Sequence, residues 1–74
     1  MKEKEISSEI IERKVKYFFD NQSVVHLVLK NARWLNGVVE EISSDFFMFK
    51  DKKRGKLPVF YLEVFKIDPY ESLE

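Results

Sequence analysis

The spacing of apolar residues changes once along this chain, and that change limits what it can fold into. Ile10, Ile11, Val15, Phe18 and Phe19 recur at helical spacing and predict one amphipathic helix. Ser7 or Ser8 supplies a hydroxyl for its N-cap. Glu9 and Glu12 precede Arg13, Lys14 and Lys16, an order that suits the helix dipole. Asp20-Asn21-Gln22-Ser23 is turn chemistry and ends the helix. Beyond it the period falls to about 2. Val25, Leu27 and Leu29 alternate with their neighbours and predict a strand from Ser23 to Lys30. Asn31-Ala32 makes a two-residue turn in which Asn takes positive φ.

A second strand is expected from Arg33 to Ile42. Its apolar phase slips between Val39 and Ile42, and Gly37 lies inside it; together these signal a bulge or sharp bend. Ser43-Ser44-Asp45 turns into a third strand, Phe46 to Lys50. A charged loop, Asp51 to Lys56, leads to a fourth strand from Pro58 to Val64 and a short fifth from Phe65 to Asp68. Five strands this short must curl to bury one face. Val25, Leu27, Leu29, Leu35, Val39 and Ile42 are expected inward. The chain therefore divides into a charged lead (1–7), one domain (8–69) and a short tail (70–74).

With 74 residues, the domain buries only about 60% of its unfolded surface, so an extra staple is expected. Cysteine is absent and His26 is the single histidine. Disulfides, thiolate metal sites and a histidine-rich zinc site are thereby excluded, which leaves oligomerisation. Phe46-Phe47-Met48-Phe49 and Val59-Phe60-Tyr61-Leu62 are apolar on both faces, and such surplus apolar area marks an interface. The last two strands are the expected sheet edges. Thirteen basic residues balance thirteen acidic ones, so net charge argues neither for nor against nucleic acid. No run approaches the length of a membrane span. The N-terminus lacks the apolar core of a signal peptide. A soluble, cytoplasmic protein with no membrane partner is expected.

Val25-His26-Leu27-Val28-Leu29-Lys30-Asn31, followed by Leu35-Asn36-Gly37-Val38-Val39-Glu40-Glu41-Ile42, resembles the first motif of the Sm-like superfamily, including its bacterial Hfq branch. The helix and strand order agree. The resemblance implies a five-stranded, strongly bent SH3-like barrel, mostly β, capped by the N-terminal helix. It implies homo-oligomeric rings, usually of six or seven subunits, in which the fourth strand of one subunit pairs with the fifth of the next. Here that joint falls on Phe60, Tyr61, Leu62, Val64, Phe65 and Ile67. It further implies binding of single-stranded RNA, ribonucleoprotein scaffolding and no enzymatic activity.

Several positions depart from the family pattern. Asp45 stands where an aromatic or histidine usually stacks on a base, Phe47 where Asn reads it, and Ser43 where Asp is usual. The Tyr-Lys-His run of the Hfq branch falls on Phe60-Tyr61-Leu62. The Arg-Gly pair of the second motif has no counterpart near Lys66-Ile67. Base selectivity is therefore expected to be weak. The competing expectation is an Sm-fold interaction module that does not bind RNA.

The residues themselves offer one candidate RNA surface. Lys50, Lys52, Lys53, Arg54 and Lys56 crowd the loop before the fourth strand and can hold phosphates, or form a solvated hairpin tip. Arg33 can pair with phosphate, and Trp34 or Tyr61 can stack on a base; Trp34 can equally pack on the helix or a neighbouring subunit. His26 lacks a second ligand for a metal and reads as an ordinary strand residue. Glu40 and Glu41 are adjacent on a strand and point to opposite faces, a poor acid–base pair; Glu63 is the other acidic candidate, and nothing in the sequence supplies a nucleophile with a base. No catalytic residue, metal or cofactor is expected. The helix stripe covers a barrel rather than a membrane.

Overall fold

The computed structural model describes residues 8–70. The charged lead with Ser7, and residues 71–74 of the tail, lie outside the described residues. Helix α1, Ser8–Asn21, buries Ile11, Val15 and Phe18. Phe19 packs partly against the core, whereas Ile10 stays half exposed on the shoulder of the stripe. The helix stops because Gln22 turns to a left-handed φ of 54°. The backbone N–H groups of Gln22 and Ser23 then return to the carbonyls of Phe19 and Phe18, a Schellman closure that satisfies the last carbonyls.

Five strands follow: β1 Val25–Leu29, β2 Trp34–Ile42, β3 Phe46–Asp51, β4 Gly55–Phe60 and β5 Val64–Pro69, with a 3-10 turn, Tyr61–Glu63, before the last. They form one antiparallel sheet in the order β4-β3-β2-β1-β5. The fold is the helix and bent five-stranded sheet expected, with the last two strands at its edges. Pro58 is tolerated inside β4 because an edge strand can lose a ladder donor.

The core confirms most of the alternation. Val25, Leu27, Leu35 and Val39 are buried, and Leu29 packs partly against them. Phe47, Phe49 and Val59 fill the same interior from β3 and β4; burying each side chain this large contributes about 1.5–3 kcal/mol. Ile42 is a correction: it remains 37% exposed. It shares a face with its partner Phe47 but lies at the strand end, flanked by polar residues of α1 such as Glu9, Glu12 and Arg13. The phase slip is a register shift between Val39 and Glu41. At Gly37 the β2 and β3 backbones meet so closely that a Cβ would overlap the Lys50 carbonyl oxygen.

Two turns differ from expectation. After β1 it is Ala32, not Asn31, that takes positive φ, at 75°; Asn31 uses its side-chain oxygen to accept the Arg33 N–H at 3.0 Å. The charged loop is shorter than expected. Gly55, with φ 81°, already belongs to β4, so only Lys52, Lys53 and Arg54 form the turn and Lys56 lies in the strand.

Candidate nucleic-acid interface

The short turn after β3 is held by its first acid. Asp51 is buried. Its Oδ2 accepts the backbone N–H groups of Lys53 at 2.9 Å and Arg54 at 2.8 Å. Its Oδ1 reaches across to accept the Asn36 N–H at 3.0 Å. The Arg54 guanidinium lies 3.7 Å away. Burial pushes the Asp51 carboxyl up, but the backbone donors and Arg54 outweigh it and hold it below its ordinary value. One carboxylate thus shapes the β3–β4 turn and pins it to the start of β2. The Lys52 N–H to Asn36 carbonyl bond, 2.8 Å, completes the seam.

That seam opens a cleft of about 410 Å³ lined by Ala32, Arg33, Trp34, Asn36, Asp51, Lys52, Lys53 and Arg54. Two turns far apart in sequence therefore place four cations around one exposed indole. Trp34 is 58% exposed. Its inner side rests near His26, with ring centroids 5.8 Å apart. His26 Nδ1–H donates to Asn36 Oδ1 at 2.6 Å, which fixes the floor of the cleft. Lys52 Nζ sits 5.1 Å from the centroid of the Tyr70 ring, so a second aromatic lies beside the cations. Cations around an exposed aromatic can hold a single-stranded backbone while a base stacks.

The structure separates the remaining candidates. Lys50 and Lys56 face each other across β3 and β4 and do not line the cleft. Lys56 Nζ is 3.4 Å from Glu40 Oε1. Tyr61 is a correction as a stacking residue. It is 4% exposed, its ring meets Phe47 at 5.5 Å, and its hydroxyl donates to the Ser43 carbonyl at 2.9 Å. Burial and, secondarily, Glu12 push its phenol above the ordinary value. Of the expected joint residues, Phe60, Leu62 and Phe65 are exposed, whereas Tyr61, Val64 and Ile67 belong to the core. Among the described residues no group of three or more His, Cys, Asp or Glu side chains is placed to hold a metal, and no helix is long and apolar enough to cross a membrane.

Sequence reasoning missed Asp51, Asn36 and Tyr70. Asp51 had a usable signal, because an Asp four residues before a Gly is turn chemistry. Tyr70 had none; it reaches Lys52 only because β5 runs back beside β1, where Val25 faces both Pro69 and Gly37.

No family model matches the sequence, and no curated protein matches it. Among solved structures, a crystal structure of Hfq, a pleiotropic translational regulator, is similar with a TM-score of 0.67 and 17% identity, covering 78% of this chain and 95% of that one. The chain has the Sm-like fold.

Proposed function

We propose that this chain is a cytoplasmic, ring-forming, non-enzymatic Sm-fold protein that binds single-stranded RNA with weak base selectivity, within a ribonucleoprotein. The carrying observation is the cleft: Arg33, Lys52, Lys53 and Arg54 surround exposed Trp34. Stacking on an indole tolerates every base, and phosphate contacts read no sequence. Weak selectivity follows. Ring formation is supported by the free edges of β4 and β5 and by exposed Phe60, Leu62 and Phe65 beside them. The corner where Asp45 and Tyr61 meet favours the second reading, an interaction module without RNA, because the Tyr61 ring is buried against Phe47 and is not free to stack on a base.

One experiment decides between them. Affinity for oligouridine, oligoadenine and oligocytosine is measured against salt for wild type and for the triple variant Lys52→Gln, Lys53→Gln, Arg54→Gln. Four phosphate contacts per subunit give a log–log slope of about −2.8. The triple variant is expected to lose all three ligands about equally. No binding by wild type would leave the interaction module, and retention of wild-type affinity by the variant would place the RNA outside the cleft.

A further inference from the structure

Asn36 and Trp34 both line the cleft, and one side chain beneath them is joined to each. His26, half-buried on β1, donates its Nδ1–H to Asn36 Oδ1 at 2.6 Å, and its ring centroid lies 5.8 Å from that of Trp34. It is the single histidine of the chain. The bond to Asn36 commits Nδ1 to carrying a hydrogen, so Nε2 is the nitrogen left to take up a proton. That uptake leaves the Asn36 bond in place. Among unperturbed side chains only histidine changes charge between about pH 5 and 8. The neighbours of His26 decide what its charge does. On its own strand they are Val24 and Val28, which share its side of the sheet. Directly opposite stand Asn36 on β2 and Asp68 on β5. Lys66 Nζ already lies 3.8 Å from Asp68. From the β3–β4 turn, Asp51 accepts the Asn36 N–H and has the Arg54 guanidinium 3.7 Å away. Lys52 donates its N–H to the Asn36 carbonyl and extends its ammonium over Tyr70, and Arg33 precedes Trp34. An imidazolium at His26 competes with Lys66 for Asp68. Whichever base holds that carboxylate, this face gains one positive charge.

We infer that His26 makes the hold of the cleft on RNA depend on pH. The inference rests on the RNA reading above and assigns its regulation. As the imidazole takes up its proton, a cation forms beneath the indole, within the roughly 6 Å at which an aromatic ring attracts one. It also lies inside the roughly 8 Å over which salt leaves a charge felt. Trp34 is then held from below, while its exposed side stays free for a base. Phosphates in the cleft meet a fifth cation beside Arg33, Lys52, Lys53 and Arg54. Because the proton favours the bound state, binding is tightest at low pH and weakens as pH rises.

The test makes two measurements on the full chain, with circular dichroism as the check on folding. The first follows Trp34 emission without RNA from pH 8 to pH 5. The chain has one tryptophan and one histidine, so a sigmoidal change that His26→Gln abolishes reports their contact. A flat wild-type titration, or one that survives in His26→Gln, refutes the coupling. Should His26→Gln fail to fold, the histidine ring proton and the Trp34 indole N–H are followed in wild type by NMR. They are expected to share one midpoint, and separate midpoints refute the coupling. The second measures affinity for 5′-hydroxyl oligouridine, whose bases do not titrate in this range, at pH 5.5 and pH 8. Wild type is expected to bind about two- to fivefold tighter at pH 5.5, with a log–log salt slope steeper by about 0.7 per subunit. His26→Gln is expected to bind alike at both. Equal wild-type affinity at the two pH values, or the same gain in His26→Gln, refutes the pH dependence and leaves the RNA reading standing. No binding at either pH removes the RNA reading and the pH dependence with it.

Discussion

Two corners of this molecule are each tied together by one buried polar side chain, and they present opposite surfaces. At the β2–β3 turn and the 3-10 turn the tie is Tyr61. Its hydroxyl holds Ser43, but its ring must go somewhere, and it goes into the core against Phe47. At the other corner the tie is Asp51, which joins the β3–β4 turn to the start of β2 through three backbone N–H groups, with the Arg54 guanidinium beside it. It has no bulk to fill the space between the turns. The side chains of Trp34, Lys52, Lys53 and Arg54 are left to solvent around a cleft. The aromatic anchor spends its ring on the core, whereas the carboxylate anchor leaves an indole and its neighbouring cations exposed.

The largest way to break this contrast is to separate the strands beneath the open corner. Gly37→Ala puts a methyl group into the Lys50 carbonyl, and backbone cannot give way as a flexible side chain would. A loss above about 4 kcal/mol is expected, seen as failure to refold after urea denaturation.

Removing the anchor itself comes next. Asp51→Ala leaves three backbone donors without their acceptor, and a loss of about 2–4 kcal/mol is expected. The same carboxylate gives the contrast a pH dependence. Its folded pKa lies below the ordinary value. Its contribution is therefore fully present above the unfolded carboxylate pKa of about 3.9 and disappears as pH falls through the folded value. Urea midpoints of wild type should fall more steeply below pH 4 than those of Asp51→Asn. Parallel curves would show that the anchor works without its charge.

The smallest effect sharpens the contrast from the other side. Ala32 lines the cleft at φ 75°, a conformation that costs a residue with a Cβ about 1–2 kcal/mol. Glycine removes that strain but loses about 0.5–1 kcal/mol of chain entropy. Ala32→Gly should thus raise stability by about 0.5–1 kcal/mol in thermal unfolding, with the cleft unchanged.

The helix and the five strands were legible because periodicity reports burial, and burial dominates a core. Gly37 was legible because glycine weakens a strand interior and persists there mainly where the strand bends or two backbones meet closely. The end of β4 was not. Tyr61 and Val64 are buried three apart because a 3-10 turn interrupts the strand and repeats every three residues; Ile67 follows three further on because the register of β5 shifts opposite Val28 and Leu29. A period of two from Val59 places Tyr61 inward and Leu62 outward, as found, but carried further it misplaces Glu63 and Val64. The basic loop was legible as a charge cluster, but its split was not: cross-strand register, invisible in one sequence, sends Lys50 and Lys56 away from Lys52, Lys53 and Arg54. The pairing of Trp34 with that loop depends on the same register.

Trp34 is the single tryptophan of the chain, so its emission reports on the open corner alone. Titrating wild type with single-stranded RNA should quench that emission saturably. Trp34→Ala should weaken binding by about 1–3 kcal/mol, while Asp45→Asn at the closed corner should leave it unchanged. Binding that leaves Trp34 emission untouched, survives Trp34→Ala and changes with Asp45→Asn would place the RNA at the wrong corner and contradict the account.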